Sequence, residues 1–519
     1  MTVDKAIPNL TSGRLLARNT IWNLIGQLIP LLVGMVAIPP LVRGLGVDRF
    51  GLLSLVWIII GYFSLFDLGL GRALTKLVAD KLGSNDYQSI PSLVWSALFL
   101  MLILGAVGGV IVLAISPWLV HSALKIPAGL QIETLHSFYL LAASIPIVII
   151  TSGLRGILEA QQRFRVLTVI RIPTSVFSFA GPLLVLPFSH KLLPVIIVLV
   201  VGRIAGCAAH MVACFHSMPS LRHSIGWHKA TILPLIQFGG WMTVTNIAGP
   251  VLIYMDRFLI GALVSVSAIA YYTAPFDAIL RLTILPGAAV GVLFPAFAVS
   301  MVQDPDRVTL LLRRGTKYVF LTVFPIVLII ISFAPEFLQL WLGTSFSDNG
   351  AAVLRWIAAG VFINSLAQLP FVLIQSAGRP DITAKVVIAE LPIYLAVLWL
   401  LTKKFGIEGT AIAWTGRITV DAILYFFFAH QLLPHRSRYY RKLCIVIFGG
   451  LSVLLLASVP RDIAMKVAFL VPTLLAFGWA SWVWAFEGEE RLFLRSRAVL
   501  PRKSISCLPM EEEKMSNGN

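Results

Sequence analysis

Apolar runs long enough to cross a lipid bilayer recur along this whole chain, and they decide what it can become. A spanning helix needs about 20 apolar residues at 1.5 Å rise each. Such runs lie near residues 20–41, 50–68, 91–115, 134–157, 166–188, 192–216, 232–255, 263–298, 317–341, 351–375, 383–402, 409–433, 442–459 and 464–486. They are rich in Leu, Ile, Val and Phe with scattered Gly and Pro, and they lack the alternation of barrel strands. Hydrophobic residues make up 58% of the 519 positions and charged ones only 13%, too apolar a balance for a water-soluble chain of this size. The runs predict an all-α polytopic membrane protein of about 14 transmembrane helices. No small-residue cleavage pattern follows the first run, which reads as an uncleaved span.

A net charge of +17 invites a nucleic-acid reading, and its distribution removes that reading. Lys and Arg gather on alternate segments between spans. Lys5, Arg14 and Arg18 precede the first span, Arg155, Arg163 and Arg165 follow the fourth, and Arg436, Arg438, Arg441 and Lys442 follow the twelfth. The excess of basic residues on one side of a membrane marks the cytoplasmic side. Both termini are therefore expected in the cytoplasm, with membrane lipids and no nucleic acid as partners. None of Cys207, Cys214, Cys444 and Cys507 falls in a predicted outer loop, so no structural disulfide is expected. The histidines show no metal spacing with carboxylates, and no metal or cofactor is expected.

The halves of the chain repeat one another at an offset of about 217 residues. Trp22 matches Trp241, Ser116-Pro117 matches Ala334-Pro335, Arg163 matches Arg379, "RIP" at 171–173 matches "ELP" at 390–392, and "GRI" recurs at 202–204 and 416–418. Each copy holds an even number of spans, so both enter the membrane from the same side. The expected architecture is two six-helix lobes related by a pseudo-two-fold along the membrane normal. Residues 1–216 form the first lobe, 217–230 a cytoplasmic linker and 231–433 the second lobe. Accessory helices 13 and 14 occupy 434–486, and a cytoplasmic tail occupies 487–519. Two facing lobes leave a central cleft, the arrangement of an alternating-access transporter. Pro275, Pro286 and Pro295 mark the eighth span as bent, because proline removes a backbone donor.

Four arginines lie inside spans: Arg171, Arg203, Arg281 and Arg417. Each costs on the order of 2.5–3.5 kcal/mol at a helix centre unless it is partnered or wet. Asp277 with Arg281, and Arg417 with Asp421, are spaced to meet on one helix face. The Arg417–Asp421 pair serves either the cleft or lobe packing. Arg203 has no acid in its own span and is too deep to snorkel. Arg171 and Glu390 sit at equivalent places in the repeat with no opposite charge within a turn. A two-fold axis would bring them together as an interlobe gate. The corner "YFSLFDLGLGRALTK" (62–76) carries Asp67 and Arg72 beside two glycines, and both charges are expected to line the cytoplasmic side of the cleft.

Residues 19–79 resemble the opening of the polysaccharide transporters of the O-antigen flippase type. The features that carry the resemblance are Asn19, Trp22, Pro40, Leu45-Gly46, Phe50-Gly51-Leu52 and the Asp67–Leu70 corner. That family belongs to a superfamily with the multidrug–cation antiporters and the flippase for the peptidoglycan lipid precursor. "AILRLTILPGAAVGVLFPAFA" (278–298) is similar to the precursor flippase's corresponding span, where an arginine before a Pro-Gly turn faces the cavity. Arg281 occupies that place. The resemblance implies export of an oligosaccharide on undecaprenyl diphosphate across a bacterial inner membrane for O-antigen or exopolysaccharide biosynthesis. It also implies partnership with a polysaccharide polymerase and export machinery. With Arg281 placed there by the resemblance and the other charges by their positions, the expected substrate-binding set is Arg281, Arg203, Arg72, Asp67 and Asp277. Guanidinium forks suit diphosphate and stay charged in a low dielectric.

Two other classes remain open on the residues. A cation-coupled multidrug antiporter shares the fold but is expected to use buried acids without matching arginines. A polytopic glycan polymerase or ligase would carry catalytic residues on a large outer loop. The longest here, 116–133, offers only His121, Lys125 and Glu133. With no nucleophile–base set and no phosphate-cradling glycine loop, the chain reads as a non-enzyme.

Overall fold

A computed structural model describes residues 29–30, 32–65, 70–84, 86–161, 163–222, 252, 254–433 and 439–485. These residues are helices and turns, with no strand among them. Nine of the described helices are long and apolar enough to cross a membrane. The hydrocarbon core of a bilayer offers the backbone no hydrogen-bond partners, and a helix satisfies its backbone groups internally.

Helix α1 (Leu32–Leu45) ends at Gly46, whose φ of 81° lets the chain turn directly into α2 (Val47–Leu65). Then come α3 (Leu70–Gly83), α4 (Ile90–Trp118), α5 (Ala128–Ala160), α6 (Phe164–Val185) and α7 (Leu192–Ser217). These pack on one another, with α5 touching α2, α3, α4, α6 and α7. Small residues let the backbones close up. A side chain at Gly105 would meet the Pro146 backbone, and one at Gly156 would meet the Gly71 carbonyl. At the predicted outer end, Glu133 ties three helices together. It pairs with Arg49 at 3.1 Å and accepts from the Leu192 backbone N–H. The predicted linker begins as a 3-10 turn, Pro219–Arg222, held to α4 by Trp95 Nε1 donating to the Leu221 carbonyl at 3.0 Å.

The second set comprises α8 (254–263), α9 (Val266–Leu280), α10 (Ile284–Gln303), α11 (Pro305–Ser332), α12 (Ala334–Leu342), α13 (Thr344–Ser376) and α14 (Pro380–Leu432). Buried along most of its length, α13 packs against α9, α10, α11, α12 and α14. Helix α14 holds both predicted spans 11 and 12. Gly406, at φ 61°, breaks it, and the pairing of Thr402 with Thr410 and of Glu390 with Arg417 shows the halves folded back as a hairpin. Span 8, predicted to be bent, changes at Arg281–Thr283 to a 3-10 turn between α9 and α10. Helix α15 (Tyr439–Leu456) packs on α11. The described residues from 459 to 485 belong to a separate unit that contains α16 (Ile463–Ala480).

The two helix sets meet mainly where α2 packs on α9. A side chain at Gly51 would sit 2.1 Å from the Val266 carbonyl oxygen, so only glycine permits this approach. Around it, Lys125 N donates to the Gly261 carbonyl at 2.9 Å, Lys125 Nζ to that of Leu263 at 2.6 Å, and Trp341 Nε1 to that of Met35 at 2.8 Å. All these contacts lie at the predicted outer end. Gly51→Val should force the sets apart there, at a cost of about 1–3 kcal/mol for overpacking. The expected readout is faster labelling of a Val266→Cys reporter by a membrane-impermeant maleimide. Unchanged labelling would mean that this contact does not hold the end closed.

A candidate anion site between the two helix sets

Helix periodicity shows where the inner face of α9 ceases to be buried. On α9, Val266, Ala270, Thr273 and Asp277 share one face at 3.6 residues per turn. The first three are buried, and Val266 meets α2. Asp277, roughly 16 Å further along the helix, has a side chain 47% exposed. Burial of this face therefore ends between Thr273 and Asp277. Tyr254 of α8 also reaches this region, its hydroxyl 3.7 Å from where a side chain on Gly61 of α2 would begin. Arg281 follows in the 3-10 turn, exposed and with no ion pair or hydrogen bond among the described residues.

The expected Asp277–Arg281 pair is not formed, although the two lie within electrostatic reach of each other. Asp277 pairs instead with Arg257 Nη2 at 3.5 Å. Sequence reasoning missed Arg257 because hydropathy ended the seventh span at 255 and left this residue in an outer loop. The structure continues the helix to 263 and buries Arg257 to 2% exposure. Its Nη1 donates to both Asp256 carboxylate oxygens at 2.8 Å, and Tyr272 donates to Asp256 Oδ2 at 2.7 Å. The guanidinium lies over the Phe276 ring at 4.1 Å. The adjacent Asp256 and Arg257, on a helix with aromatic neighbours, were the available signal.

The remaining charges are spread more widely. Arg72 is exposed on α3, and Asp67 lies outside the described residues. Arg203 is half-buried on α7 with no described partner. Arg171 is exposed on α6, with Arg155 and Glu159 of its own set as electrostatic neighbours. Glu390 is not the lone charge that the gate reading required. Across the α14 hairpin it accepts from Arg417 Nη1 at 3.1 Å, a pairing invisible to a search within one helical turn. Arg417 also pairs with Asp421 at 3.6 Å, as its i, i+4 spacing predicts, and stacks near the Tyr394 ring. Glu390 further lines a cavity of about 720 Å³ between the two arms of α14, whose mouth carries Arg379, Asp381 and Lys385.

In this cluster one guanidinium serves two poorly hydrated carboxylates, so the arginine is the member that cannot be spared. Arg417→Met should destabilise by about 3–5 kcal/mol, the cost of stranding buried charge. Glu390→Gln, which leaves the Arg417–Asp421 pair, should cost much less. Thermal midpoints of the purified variants check the order, and equal losses would refute it.

Comparison with known proteins agrees with this architecture. Residues 16–301 match the family model described as polysaccharide biosynthesis protein. A candidate O-antigen transporter of Shigella flexneri is 30% identical over 408 residues, covering 78% of this chain and 96% of that protein. An inward-facing multidrug resistance MATE-family transporter of the MOP superfamily superposes with a TM-score of 0.67 at 15% identity, covering 80% of this chain and 97% of the other. The lipid II flippase MurJ, in an inward closed conformation, superposes with a TM-score of 0.65 at 12% identity, covering 93% and 100%. At those identities the two structures speak for the fold. The family model spans more than half of this chain and the Shigella relative aligns over nearly its whole length, so this multi-pass membrane protein belongs to the polysaccharide biosynthesis protein family.

Proposed function

We propose that the chain is a flippase. It would move an undecaprenyl-diphosphate-linked oligosaccharide from the cytoplasmic to the periplasmic leaflet of a bacterial inner membrane by alternating access. The observation that supports this reading is Arg281, exposed and without a described partner in the 3-10 turn of span 8, just beyond the point where burial of the inner face of α9 ends. An unpaired guanidinium deep in an apolar chain is costly, and a diphosphate provides the dense charge and multiple acceptors that match its fork. Closure at the Gly51–Val266 end is consistent with a cleft open towards the cytoplasm, from which such a substrate would enter. The glycan would occupy the wet cleft while the polyprenyl tail stays in lipid. Arg203 and Arg72 are candidate further contacts. The relative from Shigella, an O-antigen transporter by description, supports a surface-polysaccharide substrate.

The cation-coupled antiporter reading has one observation in its favour, the excess acid of the Glu390–Arg417–Asp421 cluster. Flipping of a radiolabelled lipid-linked oligosaccharide in proteoliposomes, with and without a proton or sodium gradient, separates the readings. Arg281→Ala should abolish flipping while leaving the protein abundant in the membrane, and Arg281→Lys should restore only part of it. Normal flipping by Arg281→Ala would remove Arg281 from the site. The orientation is tested separately. Reporter fusions after Gly129 and Gly406 should read periplasmic, and a cytoplasmic signal at either would overturn it.

A further inference from the structure

We propose that Arg257 is a positioning residue for the anion site: by holding Asp277 in an ion pair, it keeps that carboxylate off Arg281 and leaves the Arg281 guanidinium open to a diphosphate. This rests on the reading of Arg281 as the diphosphate ligand.

Acid and base four residues apart on one helix ordinarily pair. Asp277 and Arg281 have that spacing and do not pair. The helix changes from α to 3-10 hydrogen bonding at Arg281, so Arg281 is the last residue placed by the α-helical run that carries Asp277. Arg257 Nη2 stands 3.5 Å from Asp277 Oδ1. This competitor is well anchored. Both Asp256 oxygens hold its Nη1, the Tyr272 hydroxyl holds Asp256, and Phe276 lies beneath the guanidinium plane. An arginine fixed on three sides acts as a stationary clamp for Asp277, whose remaining surface faces the open space.

The charge balance gives the clamp a purpose. Asp256 and Asp277 carry two negative charges against the single positive charge of Arg257. Arg281 brings the group to neutrality only while no substrate is bound. A diphosphate arriving at Arg281 adds negative charge close to Asp277. Without Arg257, Asp277 would repel the incoming phosphates and could also swing onto Arg281 and occupy its fork. With Arg257 in place, Asp277 is retained and its charge is offset at short range, where the low dielectric makes the offset strong.

A purely architectural role for Arg257, bracing α8 against α9, would also make its loss harmful. Rescue through Asp277 tells the two roles apart. The measurement is equilibrium binding of radiolabelled undecaprenyl diphosphate, without a glycan, to the purified full-length chain in nanodiscs. Arg257→Gln should weaken binding about tenfold, the equivalent of ~1.4 kcal/mol. Adding Asp277→Asn should return it at least to the native value. Asp277→Asn alone keeps the Arg257–Asp256 pair and should bind more tightly than the native chain. If Arg257→Gln fails to accumulate because Asp256 is stranded, the Asp256→Asn/Arg257→Gln pair takes its place as the background. Equal or weaker binding by Asp277→Asn alone overturns the proposal, as does a lack of rescue in the combined variant. Arg281→Gln is measured alongside. If it binds normally, the site reading itself falls; if it abolishes binding while rescue fails, only the role of Arg257 falls.

Discussion

The close approach of α2 to α9 at Gly51 determines where the two helix sets meet and where they separate. Any side chain at this position would collide with the Val266 backbone, so contact depends on a residue with no Cβ. From that point α9 runs inward with one face against α2. The face stays uncharged and buried through Ala270 and Thr273 and turns acidic and half-exposed at Asp277. On the proposed reading, this transition within a single turn is where a helix–helix seam gives way to the wall of the cleft. The 3-10 turn at Arg281 then carries the chain onward as α10.

Charge inside an apolar chain has to be partnered or wetted, and this chain uses both solutions. Arg257 and Arg417 are each tied to two carboxylates and packed near aromatic rings. Such groups hold helices in register, and their replacement leaves unmatched charge. Arg281 and Arg203 have no described partner, so water or a ligand must supply the compensation. Both kinds of arginine look alike in the sequence, since each is a single basic residue in an apolar run. What separates them is the presence of acid on a neighbouring helix.

That difference also explains how much was legible beforehand. The apolar runs and the Pro-rich eighth span depend on local composition, and the helices and the 3-10 turn at Arg281 follow them. The Arg417–Asp421 pair was legible too, because helical spacing alone brings it together. Glu390–Arg417 was not, because it depends on the hairpin at Gly406 and joins residues far apart in the chain. Arg257 was misplaced for another reason. Hydropathy treats a charged residue as the end of a span, whereas Asp256, Tyr272 and Phe276 together make burial tolerable here. Asp277–Arg281 failed in the opposite sense, since a valid spacing rule yielded to a competitor on another helix.

The contrast between these two local pairs bears on how such a chain can both fold and transport. A fully neutralised interior would be stable and would offer a polar substrate nothing to bind. Arginines left bare throughout would be too costly to insert. Placing an unpartnered arginine beside a 3-10 turn, next to an acid that a buried arginine already holds, leaves unmet charge at an accessible point. The cost of that point is borne by the surrounding packing, and an anionic ligand would relieve it. On this argument the buried network around Arg257 and the exposed side chain of Arg281 are two parts of one arrangement, in which the first makes the second tolerable.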